Sequence, residues 1–291
     1  MQLRPQDLEV VDKKIYEINT EELKARSIFA TKTDIHPGAE TYSYDAFKRS
    51  GVAKVLAPGA SDLPLVDADL QRHTVRIHSI GAAINYTAQE LRQAQMNNVS
   101  VDTVKVDTAR KAIAEKENQL AFVGDADHNI KGLTDTVGIQ VYAVPAGESA
   151  KTTWADKTGD EIVADIRKAK NKVNKLNGHT ADTLLLTPDL FEHLETPFNE
   201  FTKTSVLEYV KSQRWFTRIE TVNDLAGKGT AGANCFVVLD SSPDVVQLGI
   251  PMDITRHPLE YNFPNNRVPF EQRTTGLIVR YPMAIVRADG V

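Results

Sequence analysis

The chain has 291 residues, 41% of them hydrophobic and 25% charged, with a formal net charge of -5. These are the values of an ordinary globular protein, long enough for one large domain or for two lobes sharing a core. The charge argues against a basic nucleic-acid-coating surface or a basic membrane-binding face, but not against a protein that merely encloses nucleic acid.

Leu8, Val11, Ile15 and Ile18 recur at helical spacing with charges between them. They predict a short amphipathic arm within the first 30 residues, with little nearby to pack on, so that it docks elsewhere. From Thr41 to about Thr87 the pattern changes to strand alternation, Tyr42 and Tyr44 in one run and Val75 and Ile77 in another. Between them lies "KRSGVAKVLAPGASDLPLVDADLQ". This reads as a long two-stranded excursion with a polar tip. An isolated ribbon is marginally stable in water, so the excursion implies a partner surface.

Two helices follow. Thr87-x-x-Glu90 is a capping box that starts a short helix, "AQELRQAQMN". Asn97-Asn98 breaks it, and Ser100 can cap a second helix running to about Val123. Val101, Val104, Ala109, Ala112, Ile113, Leu120 and Val123 form the predicted apolar stripe of this scaffold helix, over about 30 Å long. Gly124 ends it, and Asp125-Ala126-Asp127-His128-Asn129 makes the turn beyond. Farther on, strands alternate with helices. "VGIQVYAV" is a strand, Thr158-x-x-Glu161 a capping box, "DTLLLT" a buried strand, and Thr187-Pro188 a helix start. "SVLEYVKS" reads as helix, and "RWFTRIETV" and "ANCFVVLDSS" as strands, so this region is an α/β lobe. The last 45 or so residues are strand-like, ending in an apolar run from Thr275 to Ile285, where Pro282 implies an edge or a bulge.

Each pattern that suggests chemistry fails on context. Asp125 begins like a calcium loop, but the sixth position is Ile130 rather than glycine and the twelfth is Thr136 rather than glutamate. "GKGTAG" (227–232) matches the dinucleotide fingerprint by letter. A strand rather than a helix follows it, so no helix N-terminus can face a pyrophosphate. The histidines form no metal-binding spacing, Glu115 and Glu117 do not face one another, and no nucleophile motif is present. Cys235, alone in an apolar strand, is a small buried hydrophobe with no disulfide or zinc set. No apolar run approaches the roughly 18 residues of a membrane span, and "MQLRPQDLEVVDKK" lacks a secretion signal's apolar core. The expectation is a cytoplasmically made protein without catalytic residues, cofactor, metal or membrane contact.

The order of elements, together with "NYTAQELRQAQMNNVSVDTVKVDTARKAIAEKENQLAFVGDADHNIKGLTD" and "FEQRTTGLIVRYPMAIVRADGV", resembles the major capsid proteins of tailed bacteriophages. That is the Hong Kong 97 type, a superfamily that includes encapsulins. The resemblance implies an α+β fold of named parts: an N-terminal arm (1–35), an E-loop excursion (36–88), a peripheral domain (89–145 and 249–291) with spine helix 100–123, and an axial domain (146–248). It implies a structural protein that self-assembles into an icosahedral genome-enclosing shell, in the virion and built in the host cytoplasm. The implied partners are other copies, as pentamers and hexamers, and then a separate scaffolding protein, portal and decoration proteins. Double-stranded DNA would be enclosed without sequence-specific binding. Candidate inter-subunit contacts are Lys54, Val55 and Leu56 at the E-loop tip and Gly227, Lys228 and Gly229 in an axial loop. Some relatives cross-link a lysine of the excursion to a neighbour; Lys54 lies near that tip, but no motif marks its partner. Two alternatives stay open: an encapsulin-type compartment shell, and a nucleotide-binding α/β enzyme using "GKGTAG".

Overall fold

The computed structural model describes residues 23–55, 65–97, 102–199, 202–262 and 264–291. The predicted arm through Leu8 to Ile18, Leu56 at the excursion tip and the Ser100 cap lie outside the described residues. No described helix is long and apolar enough to cross a membrane.

The described chain starts with a one-turn helix, α1 (Ala25–Ile28), and strand β1 (Ala30–Lys32). Strands β2 (Thr41–Ser50) and β3 (Asp67–Arg76) pair antiparallel in unbroken register from Thr41 opposite Arg76 to Ser50 opposite Asp67. After Ile77 alone, β4 (His78–Thr87) leaves this ribbon for another sheet. The Thr87 hydroxyl accepts the Glu90 N–H at 3.2 Å and the Glu90 carboxylate accepts the Thr87 N–H at 3.0 Å. This predicted capping box opens α2 (Ala88–Asn97), and α3 (Asp102–Phe122), the predicted scaffold helix, follows.

Gly124 ends α3 at φ +83, and a Cβ there would collide with the Ile130 carbonyl and the Gly132 amide. Only glycine fits this crossing. The chain then forms a small hairpin, β5 (Gly124–Asp125) and β6 (Ile130–Lys131), turning through Asn129 at φ 56. Asp125 organises the turn. It accepts the Asp127 N–H at 3.1 Å and the Lys116 ammonium at 3.1 Å, with the His128 ring 3.2 Å away. The Lys116 and His128 hydrogen bonds hold its carboxyl down at about 2.

The lobe that follows is built from β7 (Gln140–Ala143), α4 (Gly159–Asn174), β8 (Thr183–Leu186), α5 (Pro188–Leu194), β9 (Pro197–Asn199), β10 (Thr202–Ser205), α6 (Val206–Ser212), β11 (Arg218–Thr221) and β12 (Cys235–Leu239). The remaining strands are β13 (Val246–Gly249), β14 (Met252–Arg256), β15 (Glu260–Asn262), β16 (Asn265–Thr274), β17 (Gly276–Val279) and β18 (Ile285–Asp289). The central sheet has the order β11-β8-β12-β18-β7. Both of its faces are covered, which is why "TLLL" and "CFVVL" are apolar without alternation and buried throughout. On one face Leu184, Phe236 and Val286 pack with Ile162, Ile166 and Val173 of α4. On the other, Leu185, Val237 and Ile285 pack with Phe122 at the end of α3, Leu248 and Leu277. A third core joins Ala109 and Ile113 of α3 to Ile84 of β4 and to Val268 and Phe270 of β16.

Two expectations are corrected. The run from Thr275 to Ile285 is not one strand. β17 pairs with β13, β18 pairs with β12 and β7, and Pro282 sits in the short 3-10 turn between the two sheets. Proline cannot donate to a ladder, so the chain changes sheets there. On α3, Ala109, Ile113 and Leu120 are buried as predicted, but Ala112 is exposed and the buried face includes Glu117 and Ala121.

Glu117 is thus a carboxylate on the buried stripe, only 3% exposed. Arg26 of α1 donates to both of its oxygens, Nε at 2.7 Å and Nη2 at 2.8 Å, and Gln272 of β16 donates to it as well. Arg26 also reaches Asp253 at 2.9 Å. Next to it, Asn118 accepts the Ala25 N–H at 3.0 Å and donates to Asp224 at 2.6 Å.

Removing one partner of a buried pair strands the other's charge. Arg26→Ala is therefore expected to cost about 3 kcal/mol, and Arg26→Ala combined with Glu117→Gln, whose amide oxygen can still accept from Gln272, to recover part of it; urea unfolding of the four-member mutant cycle measures both. A second expectation concerns acid. The folded Asp125 carboxyl titrates below its ordinary 3.8, so its contribution to stability is complete above that pH and is lost as pH falls toward about 2. Asp125→Asn should flatten this part of the acid-unfolding profile, seen by comparing melting temperatures of the two proteins across that range.

Candidate assembly surfaces

The β2–β3 ribbon projects from the body without a core of its own. Every residue of β3 from Asp67 to Thr74 is exposed. At the base, the Tyr44 hydroxyl donates to the Val279 carbonyl at 3.0 Å, its ring stacks on His73, and the Arg280 guanidinium lies 5.6 Å from the ring centre. Midway, Arg72 forks onto Asp45 at 2.7 and 2.9 Å. Farther out, large apolar side chains are exposed among polar ones. Phe47 stands opposite Leu70, and they are 57% and 75% exposed. Val52, Val55, Leu65 and Val66 continue the apolar surface. A solvated ribbon that displays large apolar side chains implies a covering surface, since an exposed contiguous apolar patch is characteristic of an interaction site. Of the predicted tip residues, Lys54 and Val55 are exposed.

A second apolar patch was not anticipated. Val137, Val141, Tyr281 and Met283 are all exposed. The Gln140 side chain donates to the Met283 carbonyl at 2.6 Å, which ties β7 to the 3-10 turn at Pro282. β7 is an edge of the five-stranded sheet, so the patch borders an edge strand. The signal was present in "YPMA", but reading 275–285 as one strand hid that Tyr281 and Met283 flank a turn. The β9–β10 hairpin was missed too, as was the capping box of α6, where Ser205 Oγ accepts the Glu208 N–H at 3.2 Å.

Gly227, Lys228 and Gly229 lie in the loop between β11 and β12, the first two exposed and Gly229 half-buried. The loop is tied down within the chain. Gly227 N–H donates to Asn234 at 3.1 Å and Gly229 N–H to the Ala233 carbonyl at 2.8 Å. Thr230 donates to Asp289 through its amide at 3.1 Å and its hydroxyl at 2.6 Å. The N–H groups that would cradle a pyrophosphate are occupied within the chain, and a carboxylate stands where an anion would. β12 follows the loop, as the sequence context requires. Among the described residues no group of three or more His, Cys, Asp or Glu is placed to hold a metal ion. Cys235 is buried, and burial pushes its thiol up to about 12, which leaves it unreactive.

Comparison with known proteins bears on these surfaces. Residues 51–291 match the family model described as major capsid protein. The type 1 encapsulin shell protein EncA of Myxococcus xanthus is 23% identical over 99% of this chain and 94% of its own. The capsid of Myoviridae phage XM1 superposes with a TM-score of 0.82 over 99% of both chains at 15% identity. Mycobacterium phage Bobi gives 0.66 over 97% of this chain and 94% of its own at 16% identity. The fold is the Hong Kong 97 type, and with the family model covering most of its length, the chain belongs to the major capsid protein family, whose members are structural subunits of self-assembling shells.

Proposed function

We propose that this shell subunit closes the icosahedral head of a tailed phage or prophage by laying its β2–β3 ribbon over a neighbouring copy. The carrying observation is the outer half of that ribbon, where Phe47 and Leu70 form a cross-strand pair that is 57% and 75% exposed. Closed shells repeat one heterologous contact around symmetry axes, and an extended arm buries surface that a compact monomer cannot. In this reading 36–88 is the E-loop and 1–35 an N-terminal arm. Residues 89–145 and 249–291 form the peripheral domain around α3, and 146–248 an axial domain whose copies meet as pentamers and hexamers. Lys54, Val55 and Leu56 contact a neighbour, as do Gly227, Lys228 and Gly229. The Val137–Met283 patch is covered in the shell as well. The head encloses double-stranded DNA without reading its sequence, as the net charge of -5 suits, and residues in the virion after assembly in the host cytoplasm. Scaffolding, portal and decoration proteins are its further partners. The encapsulin relative supports a cargo compartment as the second reading, and the phage-capsid superposition favours the first.

Negative-stain microscopy of the purified protein, with size-exclusion chromatography, is expected to show closed particles, rings or tubes of a common subunit; a species that stays monomeric when co-expressed with the neighbouring head genes would refute the reading. Phe47→Ser with Leu70→Ser should abolish closed particles while leaving the circular dichroism unchanged and the unfolding free energy within about 0.5 kcal/mol of wild type, as for exposed positions. Deleting residues 48–68 should do the same, and normal shells from that deletion would remove the ribbon from the assembly mechanism.

A further inference from the structure

Ile77 is the one residue between β3 and β4, so it is the pivot between the projecting ribbon and the sheet that lies on α3. Beside it is a cavity of about 330 Å³ enclosed by three parts of the chain that are far apart in sequence. Arg76 comes from the ribbon side of the pivot, His78 from the sheet side, and His128 and Lys131 from the hairpin that leaves α3. Val75 and Leu277 contribute an apolar wall. Arg76 and Lys131 make no ion pair among the described residues. Among the described residues no carboxylate lines the cavity; Asp125, which acts on His78 from nearby, is already engaged by Lys116 and His128. Burial, His128 and Arg76 together push the His78 imidazole down, against the weaker pull of Asp125. Four basic side chains thus converge on one hollow in a chain whose net charge is negative.

We infer that this cavity binds a tetrahedral oxyanion of the phosphate class and that the bound anion braces the ribbon against the body. The guanidinium of Arg76 offers a planar fork for two oxygens, Lys131 a point charge, and the two imidazoles N–H donors. An anion held by Arg76 and His78 at once spans the pivot, and His128 and Lys131 fasten it to the end of α3. Binding and protonation are reciprocal. The anion favours charged His78 and His128, so low pH tightens the site. Asp125, held down at about 2, stays ionised in the range where imidazoles titrate, so the histidines carry the pH dependence. The anion's source is either free inorganic phosphate or a phosphodiester of nucleic acid. Because the cavity lies within one chain, the inference is independent of the shell reading.

Equilibrium dialysis of the purified protein against radiolabelled sulfate tests it, because sulfate keeps its charge across the range in which histidine titrates. Saturable uptake of about one ion per chain is expected, weakened roughly tenfold from pH about 6 to pH about 8. Arg76→Gln with Lys131→Gln should lose at least about tenfold at both pH values. His78→Asn with His128→Asn should remove the pH dependence and serves as the second variant if the first fails to fold. Labelled inorganic phosphate should bind at the same site. Competition by a short oligodeoxynucleotide would assign the phosphodiester source, and its absence the free anion. Uptake that does not saturate, or that is unchanged in a variant with wild-type circular dichroism, means an adventitious ion only and overturns the inference.

Discussion

The constraint on which the rest of the structure depends is one buried carboxylate. Glu117 occupies a position on α3 that the helical repeat assigns to the core, between Ile113 and Leu120. A charge there is tolerable only if it is matched. The match comes from Arg26, in the first described helix, and from Gln272, in the middle of β16 opposite Ile80 of β4. Any slip of α1 or β16 along α3 would leave the carboxylate bare. The interaction therefore acts on alignment more than on net stability, in keeping with what buried ion pairs contribute elsewhere. α3 is also the element common to two apolar cores, with Ala109 and Ile113 in one and Ala121 and Phe122 in the other. Fixing its position fixes how the lobe and the β4–β16 sheet sit relative to one another.

Around this frame the molecule divides into a saturated interior and an incomplete exterior. The five-stranded sheet is apolar on both faces and covered on both. Even the glycine-rich loop at 227–232 uses its amides internally, through Asn234, Ala233 and Asp289. The β2–β3 ribbon is the opposite case. It is anchored at its base by Tyr44 and Arg280 and displays Phe47 and Leu70 at its outer part. This division is what a shell subunit requires: a body rigid enough to set angles and an arm that is complete only in company.

Local signals were legible in the sequence, and long-range ones were not. The capping boxes at Thr87–Glu90 and Thr158–Glu161, α3 with its Gly124 terminus, and the ribbon all depend on neighbours within a few residues, and each is present. The Asp125 turn and the failure of "GKGTAG" as a nucleotide loop follow from the same kind of reasoning. The role of Glu117 could not be read, because a lone carboxylate on a helix is ordinarily solvated and its partners lie at positions 26 and 272. The break at Pro282 was visible, but not that the strands on either side belong to different sheets, since partner choice is a tertiary fact. The Val137–Met283 patch was missed for that reason as well.

The placement of β18 bears on how the subunit is made. This strand lies between β12 and β7, antiparallel to one and parallel to the other, so it fills a slot in the middle of the sheet rather than extending its edge. Its partner β7 is synthesised well over a hundred residues earlier. Until β18 is made, β7 lacks its partner in the five-stranded sheet. Non-local parallel pairing of this kind is slow. The ribosome thus releases the segment that completes the lobe only after nearly all of the described chain has emerged. The lobe is therefore closed only when β18 takes its slot beside β7, a late and non-local step of folding.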